Sequence, residues 1–278
     1  MKNAETSRRH AIRDSAERLG LAVLGGGLAL FLALPLLGLA LSLTFSDFFA
    51  GLSEPMVWPA LRLSLFTASV SLLLTVLLGA PLSWTLSRTQ SRLSRAVEVL
   101  VQLPIVIPPA VAGVALLFAF GRRGLLAGFL YARGTSVAFS TTAVVLAEAF
   151  VSAPFFVQAA LSAFRRIDER QLLVARSFGA SPLRVFMRVA LPLAWPGLFA
   201  GAAMTWARAL GEFGATLMFA GNLQGSTQTL PLAIYGALES DVRSAQALSL
   251  LLVVVAFAAL LGVRALLRRV ETRGQEKP

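Results

Sequence analysis

The stretch that decides the fold runs from Asp168 to Pro192 and reads DERQLLVARSFGASPLRVFMRVALP. It is polar and rich in arginine, yet it lies between two long apolar segments. Asp168 is a favourable N-cap for a first short helix, and Gln171, three residues later, would complete a capping-box-like pair. Gly179 is the residue expected to end that helix, because glycine takes the left-handed conformation without strain.

A second short helix is predicted directly after this turn, with Ser181 as its cap and Pro182 at its first position. Its apolar residues fall at i, i+3, i+4 and i+7 and predict one apolar face: Leu183, Phe186, Met187 and Ala190. We expect Pro192 and Pro196 to stop this element and to begin the next apolar run. A loop with so many helix-capping residues between apolar segments is expected to be presented to a partner.

Composition places the whole chain in a membrane. Its 278 residues are 56% hydrophobic and only 14% charged, with a mean hydropathy of +0.74. Soluble domains carry about 25% charged residues, so the composition predicts an all-α, polytopic integral membrane protein. The net charge of +11 is explained by basic residues that flank the apolar runs, as they do in cytoplasmic membrane loops.

Several kinds of chemistry are excluded by residue type. The chain has no cysteine, and its single histidine, His10, lies in a polar N-terminal tail, so no metal site based on these ligands is expected. The only lysines are Lys2 and Lys277, so a GxxxxGKS or GxxxxGKT nucleotide-binding loop cannot occur. No nucleophile, acid–base pair or metal-ligand cluster has catalytic spacing. We therefore expect no enzyme and no cofactor in this chain.

Hydropathy predicts six membrane spans. They are Leu19–Ser46, Leu63–Ser87, Val99–Gly121, Val137–Phe164, a span that starts near Leu193, and Ser244–Val263. In the third span the run LPIVIPP at 103–109 must break helical hydrogen bonding, which a membrane tolerates only against protein or a water-lined cavity. The expected organisation is a tail at 1–18, a membrane domain at 19–270 that includes the loop 165–191, and a tail at 271–278.

The distribution of basic residues predicts the orientation. Six spans place both termini on one side, and all but six of the 25 Lys and Arg residues lie on that side. The positive-inside rule therefore puts both termini and the Asp168–Pro192 loop in the cytoplasm. The exceptions are Arg62, Arg122, Arg123, Arg133, Arg208 and Arg243.

Charged residues within the spans are costly and should face protein or water. Arg208 and Glu212, four residues apart in the fifth span, can pair with each other. Two interpretations stay open: a salt bridge that fixes helix packing, or part of a gate or permeation pathway. Small residues around the pair allow either close helix approach or a narrow pathway. The candidate pathway residues are Glu148, Arg208, Gly211, Glu212, Gly214 and Thr216.

The segment from Gly221 to Arg243 is too polar and turn-rich to span. Its residues Leu230, Ile234 and Leu238 share one helical face, after Thr229 as a possible cap and with Pro231 at the first position. We expect a short helix along the outer surface. The residues left to contact an extracytoplasmic binding protein are Arg122, Arg123, Gln228, Glu239 and Asp241. The alternative is a solvated loop that merely connects spans.

The Asp168–Pro192 loop resembles the cytoplasmic loop signature of ABC importer permeases, in which EAA is followed by G and then by I-x-LP. Leu173-Val174-Ala175 stands at the family's Glu-Ala-Ala, Gly179 at its glycine, and Val189-Ala190-Leu191-Pro192 at its I-x-LP. Leu173 departs from the family's Glu, and Asp168 and Glu169 are the candidates to carry that charge. The resemblance implies docking on a separate ATPase that binds ATP and Mg. The implied contact residues are Leu173, Val174, Ala175, Gly179, Ala180, Ser181, Pro182, Val189, Leu191 and Pro192.

A second resemblance concerns the fifth-span region. The segments Trp206–Thr216 (WARALGEFGAT), Gly221-Asn222 and Thr229–Tyr235 (TLPLAIY) are similar to molybdate/tungstate permeases. The related sulfate/thiosulfate permeases more often read Gly-Glu-Tyr-Gly, so Phe213 favours molybdate, as do Ala215 and Thr216. This resemblance implies the type I ABC importer permease fold in a bacterial cytoplasmic membrane. It also implies a homodimer that works with two ATPase subunits and an extracytoplasmic oxyanion-binding protein.

The function expected from this resemblance is ATP-driven import of a tetrahedral oxyanion, first of all molybdate or tungstate. One alternative is a sulfate/thiosulfate permease. A second, from another class, is a secondary transporter that needs no ATPase and uses Glu148 as a proton carrier. An intramembrane enzyme is disfavoured by the missing catalytic constellation, and the expected partners include membrane lipid but no nucleic acid.

Overall fold

The computed structural model describes residues 2–132, 134 and 136–275, and within these residues the chain is helical, without strands. The helices are α1 (Lys2–Leu41), α2 (Phe45–Leu52), α3 (Val57–Arg88), α4 (Arg92–Val106), α5 (Pro109–Phe120), α6 (Ala127–Tyr131), α7 (Thr141–Arg165), α8 (Glu169–Ser177), α9 (Pro182–Val185), α10 (Leu191–Leu210), α11 (Gly214–Ala220), α12 (Leu230–Ser240) and α13 (Val242–Gln275). A π-helical turn, Phe186–Ala190, joins α9 to α10.

Five helical stretches among the described residues are long and apolar enough to cross a membrane. They are Arg18–Leu41, Val57–Arg88, Thr141–Arg165, Pro182–Leu210 and Val242–Gly262. The pair α4 and α5 provides a sixth crossing if the two are counted together, although they are bent by 118°. The all-α fold with six predicted spans is confirmed in this sense.

The bend lies where the proline run predicted a break. Ile107 ends α4 in an extended conformation, with φ −72° and ψ 129°, and Pro109 occupies the first position of α5. A residue before proline is pushed towards extended backbone, and two successive prolines, Pro108 and Pro109, supply no N–H groups. The chain therefore cannot continue one α-helix through this point.

Several boundaries differ from the sequence expectation. The predicted N-terminal tail is helical from Lys2 and continues into the first span, which ends at Leu41. It ends before Ser46 because the Thr44 hydroxyl accepts a hydrogen bond from the N–H of Asp47, at 3.2 Å, and starts α2. The second span starts earlier than predicted, at 57, and the fourth starts later, at 141, after its Ser140 cap. Residues 276–278 of the predicted C-terminal tail lie outside the described residues.

The prediction that Pro192 and Pro196 stop the second loop helix is wrong. The chain runs as one helical rod from Pro182 to Leu210. In the π-helical turn the N–H of Leu191 donates to the carbonyl of Phe186, five residues back. This wider turn directly precedes Pro192, which thereby sits at the start of α10, where its missing N–H is tolerated.

Helix α7 forms the centre of the bundle and packs against α3 and α10. Small residues allow the close approach: a Cβ at Gly201 would lie 2.6 Å from the Cβ of Ala159. A Cβ at Gly79 of α3 would likewise lie 2.9 Å from the Cδ1 atom of Phe156, which is buried. Such close helix contacts are typical of membrane bundles.

Candidate functional site

The first helix of the Asp168–Pro192 loop, hereafter the coupling loop, starts as predicted at Asp168. Its carboxylate accepts a hydrogen bond from the N–H of Arg170, at 2.9 Å. The reciprocal pairing expected from Gln171 does not form among the described residues, because Gln171 is exposed and only its backbone N–H bonds back, to the Asp168 carbonyl at 3.1 Å. The N-cap is therefore confirmed and the capping-box pair is not.

The turn of the coupling loop is confirmed in detail. Gly179 has φ +76°, which is the left-handed region. Its N–H donates to the carbonyl of Arg176 at 2.9 Å, and the N–H of Ala180 donates to the carbonyl of Ala175 at 3.2 Å. These two bonds form a Schellman motif, which satisfies the last carbonyls of α8.

The start of the second loop helix follows the sequence as well. The Ser181 hydroxyl accepts a hydrogen bond from the N–H of Arg184 at 3.4 Å, and Pro182 is the first helical residue. The turn and this cap together fix the direction in which α9 leaves α8.

The predicted apolar face of the second helix is only half correct. Phe186 and Ala190 pack inward, but Leu183 and Met187 are exposed. Val185, which the heptad-like spacing did not select, is 1% exposed and takes their place in the core. The wider π-helical turn changes the angular spacing of side chains, so a pattern based on 3.6 residues per turn fails here.

The coupling loop thereby presents an apolar surface that nothing in the described chain covers. Its exposed large apolar side chains are Leu173, Val174, Phe178, Leu183 and Met187. Of the expected ATPase contacts, six are exposed: Leu173, Val174, Gly179, Ser181, Pro182 and Pro192. The other four are half-buried against the bundle: Ala175, Ala180, Val189 and Leu191. Exposed large apolar side chains on a loop are a common feature of docking surfaces.

At the other end of the rod, Arg208 and Glu212 form the expected ion pair. Nη2 of Arg208 lies 2.7 Å from Oε2 of Glu212, with the two side chains 30% and 1% exposed. The other carboxylate oxygen of Glu212 accepts a hydrogen bond from the N–H of Ala215 at 2.9 Å. Glu212 therefore ties the end of α10 to the start of α11.

The break between α10 and α11 lies against the break between α4 and α5. A Cβ at Gly214 would lie 3.0 Å from the Cβ of Pro109, and a Cβ at Gly113 would lie 2.6 Å from the carbonyl oxygen of Ala215. Thr216 is buried here, and its hydroxyl has no hydrogen-bond partner among the described residues, whereas Gly211 is exposed. Two helix breaks and an ion pair therefore lie together at this point of the bundle.

Glu148 forms a separate buried site. Its carboxylate accepts hydrogen bonds from the hydroxyls of Thr67 at 2.8 Å and Ser71 at 3.0 Å. No salt bridge joins it to a basic residue within the described chain. Sequence reasoning missed both hydroxyl partners, although the spacing of Ser64, Thr67 and Ser71 along one face of α3 was a signal for them.

The segment after α11 is more deeply buried than predicted. The N–H of Leu230 donates to the Ser64 hydroxyl at 2.7 Å, inside the bundle, and Gln228 is only 7% exposed. Gln228 is therefore not part of an exposed binding surface, contrary to the prediction. Thr229 is the N-cap position without a side-chain hydrogen bond, and Pro231 is the second residue of α12, not the first.

The apolar face of α12 also differs from the prediction. Leu238 is 54% exposed. The buried residues are Leu230, Leu232, Ala233 and Ala237. Helix α12 packs against α3 and α13, so its first turn is covered on two sides and does not lie flat on a surface.

Four of the five expected binding-protein contacts are exposed: Arg122, Arg123, Glu239 and Asp241. Asp241 also caps α13, since its carboxylate accepts hydrogen bonds from the Ser244 hydroxyl at 2.6 Å and the Arg243 N–H at 3.0 Å. These bonds hold the pKa of Asp241 below its ordinary value. Arg133 lies outside the described residues.

Comparison with known proteins agrees with this architecture. Residues 71–273 match the family described as "Binding-protein-dependent transport system inner membrane component". The chain is 49% identical over 235 residues to the "Molybdenum transport system permease protein ModB" of Mycobacterium tuberculosis, covering 84% of this chain and 89% of that protein. It is 37% identical over 202 residues to the ModB protein of Escherichia coli, covering 72% and 88%.

The fold is also similar to a solved importer. A bacterial alginate ABC transporter in complex with an alginate pentasaccharide-bound periplasmic protein contains a chain with a TM-score of 0.71 and 18% identity, covering 91% of this chain and 94% of that one. The expected resemblance to ABC importer permeases of the molybdate type is confirmed by these similarities. This chain belongs to the family of inner membrane components of binding-protein-dependent transport systems.

Proposed function

We propose that this chain is the membrane subunit of an ATP-driven importer for a tetrahedral oxyanion, molybdate in the first place. The choice of molybdate is supported by the 49% identity to a molybdenum transport permease over 84% of the chain. Tungstate has the same tetrahedral shape and charge, so it is expected to share the pathway.

Membership in the family makes the chain a multi-pass inner membrane permease rather than an enzyme. A separate ATPase and a separate substrate-binding protein are its partners. ATP and Mg are proposed to bind only to the ATPase, since this sequence has no nucleotide-binding loop.

The coupling loop is the proposed ATPase contact, on the cytoplasmic side together with both termini. Its exposed apolar residues, Phe178 above all, suit a groove on a partner. The Schellman turn at Gly179 fixes how α8 and α9 are presented. Closure of the ATPase pair would move this loop and rock the spans between inward-open and outward-open states.

Arg208 is the proposed contact for the anion in the pathway. Its guanidinium is partly exposed, whereas its partner Glu212 is buried and held by the N–H of Ala215. An oxyanion that competes with Glu212 for Arg208 would meet a cation that forms charge-assisted hydrogen bonds. Gly211, Gly214 and Thr216 would supply the narrow surroundings of this gate.

Glu148 is not proposed to carry protons in this pathway. Its carboxylate is enclosed by hydroxyls of α3, and an ATP-driven importer needs no proton carrier. Its proposed part in the pathway is to hold α3 against α7 beside the gate.

A homodimer is supported by the surfaces that the single chain leaves open. No residue is buried by the described part of the single chain in the window of α1 that would cross the membrane. A groove of about 540 Å³ lies between α3, α10 and α13. Its walls are mostly small, including Ala200, Ala203, Ala207, Ala256 and Ala259. Small residues allow helices of a second copy to approach closely, and two copies would engage two ATPases.

The binding protein is proposed to dock at the opposite end of the bundle from the coupling loop. Arg122 and Arg123 lie exposed in the turn after α5, while Glu239 and Asp241 lie exposed between α12 and α13. Gln228 is left out of this surface because it is buried.

Reconstitution tests the proposed function. The permease is placed in proteoliposomes with its ATPase, and a molybdate-loaded binding protein is added outside. We expect molybdate uptake that requires ATP and survives collapse of the pH gradient by an ionophore. Uptake of sulfate in preference to molybdate would refute the substrate, and uptake driven by a pH gradient without ATP would refute the mechanism.

A further inference from the structure

A cluster of three aromatic side chains joins the coupling loop to the spans. Trp84 lies near the end of α3, Phe164 near the end of α7, and Phe186 in the π-helical turn. The ring centroids of Trp84 and Phe164 are 5.4 Å apart, those of Trp84 and Phe186 5.8 Å, and those of Phe164 and Phe186 6.1 Å. These spacings are typical of favourable aromatic contacts.

Arg88, the last residue of α3, closes this cluster. Its Cζ atom lies 4.8 Å from the centroid of the Trp84 ring, within the range of a cation–π interaction. Its Nη2 donates a hydrogen bond to the carbonyl of Phe164, in the last turn of α7. A guanidinium is favourable at a helix C-terminus, where unpaired carbonyls gather. Arg88 therefore fixes the ends of α3 and α7 to each other.

The same side chain faces the coupling loop across a small cavity. The cavity has a volume of about 170 Å³ and is lined by Arg88 together with Glu169, Leu172, Leu173 and Arg176 of α8. The Nε atom of Arg88 is buried and has no hydrogen-bond partner among the described residues. Arg88 thus keeps a free donor on the side chain that borders α8.

Glu169 is the acidic residue of α8 that borders this cavity. It forms no salt bridge within the described chain. Leu173, one turn later on the same side of α8, also lines the cavity, at the position where the resembling permeases have Glu. In this chain the acidic residue of α8 is therefore Glu169, one turn before Leu173, and it lies across the cavity from Arg88.

We infer that Arg88 is a positioning residue that carries movement of α8 to the ends of α3 and α7 through its attraction to Glu169 across the cavity. The inference rests on the proposed function, because it assigns a role within ATP-driven transport. The aromatic cluster makes the link stiff, since Trp84 and Phe164 belong to the two spans that must move with the loop. Loss of the Arg88 charge leaves α8 able to dock on the ATPase but weakly connected to the spans.

The first test measures the molybdate imported per ATP hydrolysed in proteoliposomes. Arg88→Gln removes the charge and, because its amide ends two atoms short of the arginine Nη2, also removes the bond to the Phe164 carbonyl; we expect this ratio to fall about fivefold or more. The matched control is Arg92→Gln, which removes an exposed arginine from the adjacent basic turn and should leave the ratio unchanged. A purely structural role would lower hydrolysis and uptake together, so an unchanged ratio in Arg88→Gln overturns the inference.

The second test exchanges the two charges. Arg88→Glu and Glu169→Arg should each lower the ratio, and the double variant should recover part of it, because attraction across the cavity is restored while a glutamate at 88 cannot donate to the Phe164 carbonyl. If the double variant imports no more molybdate per ATP than the worse single variant, the role assigned to Glu169 is overturned. Arg88→Lys, which keeps the charge, should lie between the native chain and Arg88→Gln.

The third test needs no transported anion and so separates this inference from the proposed substrate. The chain has no cysteine, so Gln90→Cys, on the exposed turn after α3, gives one label in each copy of the dimer. We expect the distance between the two labels to change when ATP binds, and Arg88→Gln to abolish that change while ATP still binds. An equal change with and without Arg88→Gln overturns the inference, whereas failure of molybdate uptake in the native complex counts only against the substrate.

Discussion

Gly179 gives the sharpest prediction, because its environment separates backbone strain from side-chain size. Its φ is +76°, and a Cβ added at this position would have no other atom within 4 Å. A larger side chain therefore meets open space, and the cost of substitution comes from the left-handed backbone alone. That cost is about 1–2 kcal/mol for an ordinary L-residue and larger for a β-branched one.

A strain of about 1–2 kcal/mol lowers the population of the correctly turned loop by about 5–30-fold relative to competing conformations. Gly179→Ala should therefore impair ATP-driven uptake, and Gly179→Val should abolish it, while both variants insert and dimerise. Gly179→Asn should stay near native activity, since asparagine tolerates the left-handed region. The expected order of activity, Asn above Ala above Val, does not follow side-chain volume.

The assay is molybdate uptake in proteoliposomes, combined with co-purification of the ATPase to report docking. Uptake and docking should fall in parallel, because the strained turn misplaces Ser181 and the start of α9. An activity order that follows side-chain volume would refute the reasoning about strain. Normal coupled uptake by Gly179→Val would refute the docking role of the loop.

Three further predictions concern other parts of the bundle. Arg208→Met leaves Glu212 buried without its cation and should lower the free energy of unfolding by about 3 kcal/mol. Thermal unfolding in detergent measures this loss. Combining Arg208→Met with Glu212→Gln should restore part of it. Charge reversal of Arg122 and Arg123 to Glu should weaken the stimulation of ATP hydrolysis by the binding protein and leave basal hydrolysis unchanged. Gly113→Ala should destabilise the chain by about 1–3 kcal/mol, because its Cβ would lie 2.6 Å from the Ala215 carbonyl oxygen and force α5 away from α11.

Each of these predictions has a contrasting outcome. A double variant at 208 and 212 that is stable but poorly active supports a pathway role, whereas one that is stable and fully active removes both the packing and the pathway interpretations. Stimulation that stays unaltered by the charge reversals over a range of salt concentrations counts against the docking surface. Gly128→Ala is the control for Gly113→Ala, because its Cβ would meet nothing within 4 Å.

Local backbone chemistry was predictable from the sequence. The cap at Asp168, the left-handed Gly179 and the break before Pro108 all depend on residues within one turn of the event, and each was identified correctly. The ion pair between Arg208 and Glu212 belongs to the same class, since four residues along a helix bring two side chains together.

Features set by contacts between distant segments were not predictable. The π-helical turn before Pro192 keeps a helix continuous that proline alone was expected to stop. Gln228 has a polar side chain in a turn-rich segment, yet it is buried because neighbouring helices close over it. From the sequence, Arg88 was one member of a basic turn. Its role depends on Phe164 at the end of α7 and on α8, which lie more than 75 residues further along the chain.

The unbroken rod from Pro182 to Leu210 has a mechanical consequence. Its 29 residues, at 1.5 Å each, make a lever about 43 Å long, with the coupling loop at one end and Arg208 close to the other. If the rod pivots at its loop end, each degree of tilt displaces the far end by roughly 0.75 Å. Because Arg208 and Glu212 both lie at the far end, a few degrees of tilt at the ATPase would move their ion pair as one unit by a few ångströms relative to the pivot. The points at which such a rod bends most readily are its π-helical turn and Pro196.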